Sequence, residues 1–400
     1  MFESLTSLNA DPILGLMAAY RADTNPEKID LGVGVYMDSR GRTPVMAAVK
    51  EAETRILATQ DTKSYVGPAG DAVFDELMAH LLLGESLSGK LHSRRYTIQV
   101  PGGCGGLRLA AEFIAKANPD ARIWVSNPTW PNHIPLLGAA NLKIETYPYY
   151  DYENHVIRFD EMISTLKNAN SSDLLLLHGC CHNPCGADLS RDQWHAVKDL
   201  ALEKGITVFI DMAYQGLGDG LDDDAFGVRL LAESLPELIV VSSCSKNFGL
   251  YRERVGALTV ICQSPSHVPA VSSQLAAIAR GIYSMPPDHG ASIVRVILQD
   301  PSLRSNWELE LTEMRDRINS LRASLVQRLR DARVKTDFGF ITQEKGMFSF
   351  LGIDVNQVRQ LTENYSVYLV DSSRINLAGI NDGNIDYLVA SLTKVLAENQ

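Results

Sequence analysis

Short apolar runs, each followed by a helix-like stretch, recur through the middle of the chain: Arg122 to Ser126, Leu174 to Leu177, Ile206 to Asp211 and Leu238 to Val241. Runs of this kind suit strands buried on both faces, so the stretch predicts an α/β layer structure with a largely parallel sheet. In such sheets functional groups gather at the carboxyl ends of the strands. Farther on, beginning at Trp307, the apolar residues Leu311, Met314, Ile318, Leu321, Leu325 and Leu329 recur every three or four positions. That period predicts one long amphipathic helix with charges on its other face. Strand-like runs follow around Met347 to Leu351 and Val367 to Val370, so the C-terminal part reads as a smaller α+β unit.

Length sharpens this division. Four hundred residues exceed the roughly 250 to 300 that one core usually serves, which favours two packed subdomains. The absence of a Pro-, Gly- or Ser-rich tether puts their boundary inside compact structure. A formal net charge of −11 without a Lys/Arg cluster argues against nucleic-acid or anionic-membrane partners and for small molecules. The stretch from Met1 to Gly15 reads as neither a secretory nor a targeting segment, and no run approaches the roughly 20 apolar residues of a membrane span. Six Cys, three of them between Cys180 and Cys185, do not form a disulfide framework. A reducing cytoplasm is the expectation.

The segment richest in chemistry is Val241-Ser-Ser-Cys-Ser-Lys-Asn-Phe-Gly-Leu-Tyr-Arg-Glu-Arg254. There an apolar strand ends in hydroxyls, then a single lysine, then arginines. Hydroxyls and a guanidinium around one lysine suit a phosphate placed beside a carbonyl, and a desolvated lysine amine is a nucleophile toward such a carbonyl. A solvated loop lysine is the bland alternative. Asp211 closes its own apolar run, with Tyr214 three residues on. It is either an anion facing a ring nitrogen or the N-cap of the next helix, and spacing does not separate the two. Pro101-Gly-Gly-Cys-Gly-Gly-Leu-Arg108 opens a helix whose bare N–H groups suit a phosphate, although glycine turns also occur without ligands. Gly32-Val-Gly34 lacks the third glycine of a dinucleotide fingerprint, which disfavours a nicotinamide enzyme. His178-Gly-Cys-Cys-His-Asn-Pro-Cys185 invites a zinc reading, but adjacent Cys180 and Cys181 do not easily point at one ion and no second ligand pair of matching spacing occurs elsewhere. Buried thiols at a strand end are the expectation there, with no metal.

Taken together with Asp11-Pro-Ile-Leu-Gly-Leu16, Ser126-Asn-Pro-Thr-Trp-Pro-Asn-His133, Asp211-Met-Ala-Tyr-Gln-Gly216, Glu253-Arg-Val-Gly256, Tyr283-Ser-Met-Pro-Pro287 and Ser373-Arg-Ile-Asn376, these motifs resemble, end to end, the fold-type I, class I aminotransferases of the aspartate and aromatic amino acid subgroup. The resemblance implies pyridoxal 5'-phosphate (PLP) held as a Schiff base on Lys246. Asp211 would meet the pyridine nitrogen, Tyr214 and Asn183 the ring oxygen, and Trp130 the ring face. Gly102, Gly103, Cys104, Ser243 and Arg254 would hold the phosphate, with Tyr65 arriving from a second subunit. His133 would support Asp211 from behind, with His178 nearby. Arg374 would clamp the α-carboxylate and Arg280, from the partner subunit, a distal carboxylate. Gly34, Trp130 and Asn183 would also line the substrate site.

The family often carries Thr where this chain has Cys104 and Cys185, and a thiol donates more weakly than a hydroxyl. Met285 stands where aspartate-type members commonly have Asn, and its apolar thioether favours aromatic side chains. The resulting expectation is a PLP-transferase fold of type I. Residues 43–313 would form the large domain, with 1–42 and 314–400 contributing to the small one and a homodimer sharing its active sites. The reaction would be ping-pong transamination between aspartate, tyrosine or phenylalanine and 2-oxoglutarate or oxaloacetate. Alternatives are a strict aspartate enzyme, a PLP-dependent lyase or racemase, and a non-catalytic PLP-binding protein.

Overall fold

The computed structural model describes residues 2–7 and 12–398, so Asp11 lies outside the described residues. Seven strands form the principal sheet: β1 (Arg95–Pro101), β2 (Arg122–Asn127), β3 (Lys143–Pro148), β4 (Leu174–His178), β5 (Thr207–Met212), β6 (Leu238–Ser243) and β7 (Val255–Ile261). Their order is β1-β7-β6-β5-β4-β2-β3. Only β7 runs against its neighbours, β1 and β6, and the other pairings are parallel. This is the mixed, mostly parallel α/β sheet that the apolar runs predict. Strands β5 and β6 are buried nearly throughout, as expected for strands covered on both faces.

Three strands were not legible as apolar runs, and each has a reason. In β1, Arg95, Thr97 and Gln99 are buried but satisfied. Arg95 pairs with Glu76, Thr97 shares a hydrogen bond with Thr259 at 3.0 Å, and Gln99 donates to the Pro287 carbonyl at 2.7 Å. Strand β3 sits at the sheet edge and exposes Lys143, Glu145 and Thr146. Strand β7, although buried throughout, carries Thr259 and follows the lysine segment without an intervening helix.

Contacts divide the chain into one compact unit of residues 44–316 and another of 1–43 with 317–400. Helix α1 (Gly102–Ala117) lies in the first, where Leu107, Ala110, Ala111 and Ile114 pack on Val100, Val241 and Leu258. Helix α2 (Val268–Ile282) buries only Leu275 and Ala279. The long helix α3 runs from Pro301 to Asp331, starting two turns before the predicted Trp307, and its predicted apolar face is buried from Trp307 to Leu329. In the second unit Ile29–Asp30 pairs in parallel with Val367–Tyr368, while β8 (Phe348–Phe350) pairs antiparallel with β9 (Arg374–Asn376). Among the described residues no helix is long and apolar enough to cross a membrane.

Candidate active site

The carboxyl ends of β1, β2, β4, β5 and β6 share one edge of the sheet, and the chain places its polar residues there. His178 ends β4 opposite Asp211 of β5, and Ser243 ends β6 opposite Gly256 of β7. Asp211 is buried, and its carboxylate meets His133 Nε2 at 3.1 Å. The other ring nitrogen of His133 is 2.8 Å from the Thr129 hydroxyl, so the imidazole is fixed at both ends. Burial works to raise the Asp211 carboxyl, but the His133 hydrogen bond and charge, with the Lys246 amine, hold it below the ordinary range of an aspartate. The geometry therefore favours the anion over a helix N-cap: Asp211 lies within β5, with its carboxylate on His133.

Lys246 follows β6 by three residues. Its amine stands 5.0 Å over the Tyr214 ring. The side chain keeps some contact with solvent, yet the protein mass around the amine is dense enough that desolvation lowers its pKa, assisted by Arg254 and opposed by Asp211. Asn183 donates to the Tyr214 hydroxyl at 3.5 Å. Trp130 meets His133 edge-on at 5.3 Å, with its ring partly exposed. Behind Asp211, His178 lies 5.2 Å from His133 and 4.0 Å from His182. Burial, with His133 beside it, pushes His178 down to about 3, so its ring is neutral at physiological pH.

Helix α1 begins at Gly102 directly after β1, and no side chain caps it. Its first N–H groups have no acceptor within the helix. Gly102 has φ +72, and a Cβ there would come within 2.7 Å of Arg254 Nη2. A Cβ on Gly103 would meet Ser243 Cβ at 3.2 Å. Arg254 itself adopts φ 55 and donates to the Tyr251 carbonyl at 3.0 Å and the Ser245 hydroxyl at 3.4 Å. Cys104, in the first turn, accepts from Asn132 Nδ2 at 3.4 Å. Bare N–H groups, two serine hydroxyls and a guanidinium make a donor set complementary to a phosphate dianion. Together with a desolvated lysine and a buried carboxylate, they fit a phosphorylated pyridine aldehyde.

In the other unit Arg374 is buried, donates to the Gly32 carbonyl at 2.7 Å and lies 4.3 Å over the Phe348 ring. A Cβ at Gly34 would sit 3.3 Å from that ring. Tyr65 is 88% exposed and Arg280 stands exposed in the last turn of α2. Arg252 is exposed as well.

The cysteines of the HGCCHNPC segment are buried and, like the other three, form no disulfide. One expectation fails. Adjacent Cys180 and Cys181 do bring their sulfurs to one place, with Cys181 in a left-handed backbone conformation at φ 51. Their sulfurs and an Asp224 oxygen lie within 4.8 Å of one another, as do groups of His133, His178 and Asp211. Asp224 already accepts the N–H groups of Gly216, Gly218 and Asp219. Reading the sequence also passed over Thr129, Ser245 and Trp307. Trp307 donates to the Asn247 carbonyl at 2.7 Å and stacks on Phe248 at 4.3 Å, holding the two residues after Lys246. Only its place on a helical period was visible beforehand.

The family model "Aminotransferase class I and II" matches residues 26–392. The chain is 46% identical to the aspartate aminotransferase of Escherichia coli over 396 residues, 99% of this chain and 100% of that one. It is equally 46% identical to the aromatic-amino-acid aminotransferase of Pseudomonas aeruginosa over 397 residues, 99% of each. The crystal structure of an aromatic-amino-acid aminotransferase from Burkholderia pseudomallei covalently bound to pyridoxal phosphate superposes with a TM-score of 0.96 at 40% identity, covering 99% of both chains. With a family model matched over most of its length and relatives at 46% identity across 99% of the chain, this chain belongs to the class I and II aminotransferases.

Proposed function

We propose that this aminotransferase uses PLP to move an amino group between an L-amino acid, aspartate or an aromatic one such as tyrosine or phenylalanine, and 2-oxoglutarate or oxaloacetate. The observation that carries the reading is the desolvated Lys246 amine over Tyr214 in the same corner as the His133-held Asp211 carboxylate. When bound, PLP supplies a carbonyl that takes up the amino group and a protonated ring that accepts electrons from the substrate Cα.

The chain's own residues do the rest. Asp211, kept ionised by His133, holds the ring nitrogen protonated. Tyr214 and Asn183 address the ring oxygen, and Trp130 covers the ring face. Gly102, Gly103, Cys104, Ser243 and Arg254 hold the phosphate, with Tyr65 from a second copy. The Lys246 amine, neutral at lower pH than an ordinary lysine, would take the proton from the substrate Cα as general base and deliver it to the cofactor's carbonyl carbon as general acid. Arg374 receives the α-carboxylate, and Gly34 leaves room beside Phe348 for the substrate. Arg280 of the second copy pairs with a distal carboxylate, while Met285 offers an apolar surface to a phenyl ring. Aspartate and aromatic relatives at equal identity support a dual range.

A homodimer follows from the roles given to Tyr65 and Arg280, and their exposure, with Leu57 and Ile282 also exposed, supports it. Residues 43–313 as the large domain and the remainder as the small one is the division we adopt. Six unbonded cysteines support a reducing, cytoplasmic location. Lys246→Ala should abolish steady-state transamination while the protein still folds; near-normal turnover would overturn the assignment.

A further inference from the structure

We infer that Arg322, a buried residue of helix α3 outside the substrate site, is the positioning residue that sets the carboxylate-binding arginine Arg374. This rests on the reading of Arg374 given above. Arg322 is 2% exposed, a costly place for a guanidinium unless its donors are used. Nη1 donates to the Ile341 carbonyl at 2.8 Å and the Ser349 hydroxyl at 2.6 Å. Nη2 donates to the carbonyls of Gly346 at 2.8 Å and Phe348 at 2.7 Å. The nearest carboxylate, Glu344, is 3.9 Å away and itself accepts from Ser349. Contacts to main-chain oxygens are thus closer than the ion pair. The side chain is spent on holding the approach to β8 and the strand itself.

That strand bears directly on Arg374. Phe348, whose carbonyl Arg322 holds, carries the ring 4.3 Å beneath the Arg374 guanidinium. Phe350 is the register partner of Arg374, and Phe348 of Asn376. Asn376 in turn donates to the carbonyls of Val33 and Val35 at 2.6 and 2.7 Å, beside the Gly32 oxygen that accepts from Arg374. Holding the Phe348 main chain places the base of its ring, and that ring and the Gly32 oxygen both contact the Arg374 guanidinium. A planar fork binds a carboxylate with two parallel hydrogen bonds only when suitably oriented.

The test compares KM and kcat for aspartate in holoenzymes carrying Arg322→Lys, Arg374→Lys, or Arg322→Met combined with Glu344→Met. The double change removes both charges, so no buried charge is stranded. It should raise KM by about tenfold or more, the scale of a misaligned binding group, with kcat changed less, and Arg322→Lys should fall between it and wild type. A wild-type KM in the double variant would overturn the inference, leaving Arg322 as a counter-charge for Glu344. A fall in kcat at unchanged KM would overturn it too. If Arg374→Lys alone leaves KM unchanged, the carboxylate reading has failed and the inference falls with it. If the double variant does not fold, Arg322→Lys decides by the same criterion.

Discussion

Trp307 offers a sharp link between packing and the lysine. Its ring is fully buried, stacks on Phe248 at an interplanar angle of 6°, and donates to the Asn247 carbonyl one residue beyond Lys246. Trp307→Phe preserves most of the stacking but removes the indole N–H, leaving a buried carbonyl without this donor, a loss of about 1 to 3 kcal/mol. Trp307→Ala removes the stacking as well and opens a cavity, for which about 3 to 5 kcal/mol is typical. Melting followed by circular dichroism at fixed protein and PLP concentrations, since both shift the apparent midpoint, should rank the variants wild type, Phe, Ala. Trp307→Phe should also lower kcat, because the loosened main chain carries Lys246. A Phe variant within about 0.5 kcal/mol of wild type, the range of inert surface changes, and with unaltered kcat would refute both the energetic and the functional part of this reasoning.

Other outcomes follow from the same geometry. Gly102→Ala forces a side chain into a φ of +72 and against Arg254, so PLP affinity measured by titration of apoprotein should drop; unchanged affinity would remove Gly102 from the phosphate cradle. Because desolvation lowers the Lys246 pKa in the folded state, the unfolded chain binds that proton more tightly between the folded value and about 10.4. Apoprotein stability should therefore rise with pH through that window. Lys246→Met should flatten the rise when melting temperature is scanned against pH, and an unchanged slope would mean the amine is not desolvated. Replacing Arg280 with Ala should cut kcat/KM for aspartate far more than for phenylalanine, whereas equal losses would make its role structural.

The large sheet was legible where burial on both faces removes alternation, as in β5 and β6, and illegible where buried polar side chains find partners, as in β1. The long helix could be read from its period, but its start at Pro301 could not, because the first turns bury only Leu303 before Trp307. Lys246, Asp211 and the Gly102 helix start stood out as residue types at strand ends. Thr129, Ser245 and Arg322 did not, since hydroxyls and helix arginines are common and their partners are distant in sequence: Arg322 reaches Phe348 across 26 positions. The adjacent thiols misled because a left-handed turn at Cys181 has no signature in a cysteine.

The most direct test of PLP transamination is an absorption spectrum of the purified protein with PLP, recorded before and after aspartate and then phenylalanine, each without a 2-oxo acid acceptor. The structure and the roles assigned to Lys246 and Met285 predict a visible band that converts to that of the amino form of the cofactor with both amino acids. Conversion with aspartate alone would contradict the aromatic range. No visible band even with added PLP would mean that Lys246 does not hold the cofactor.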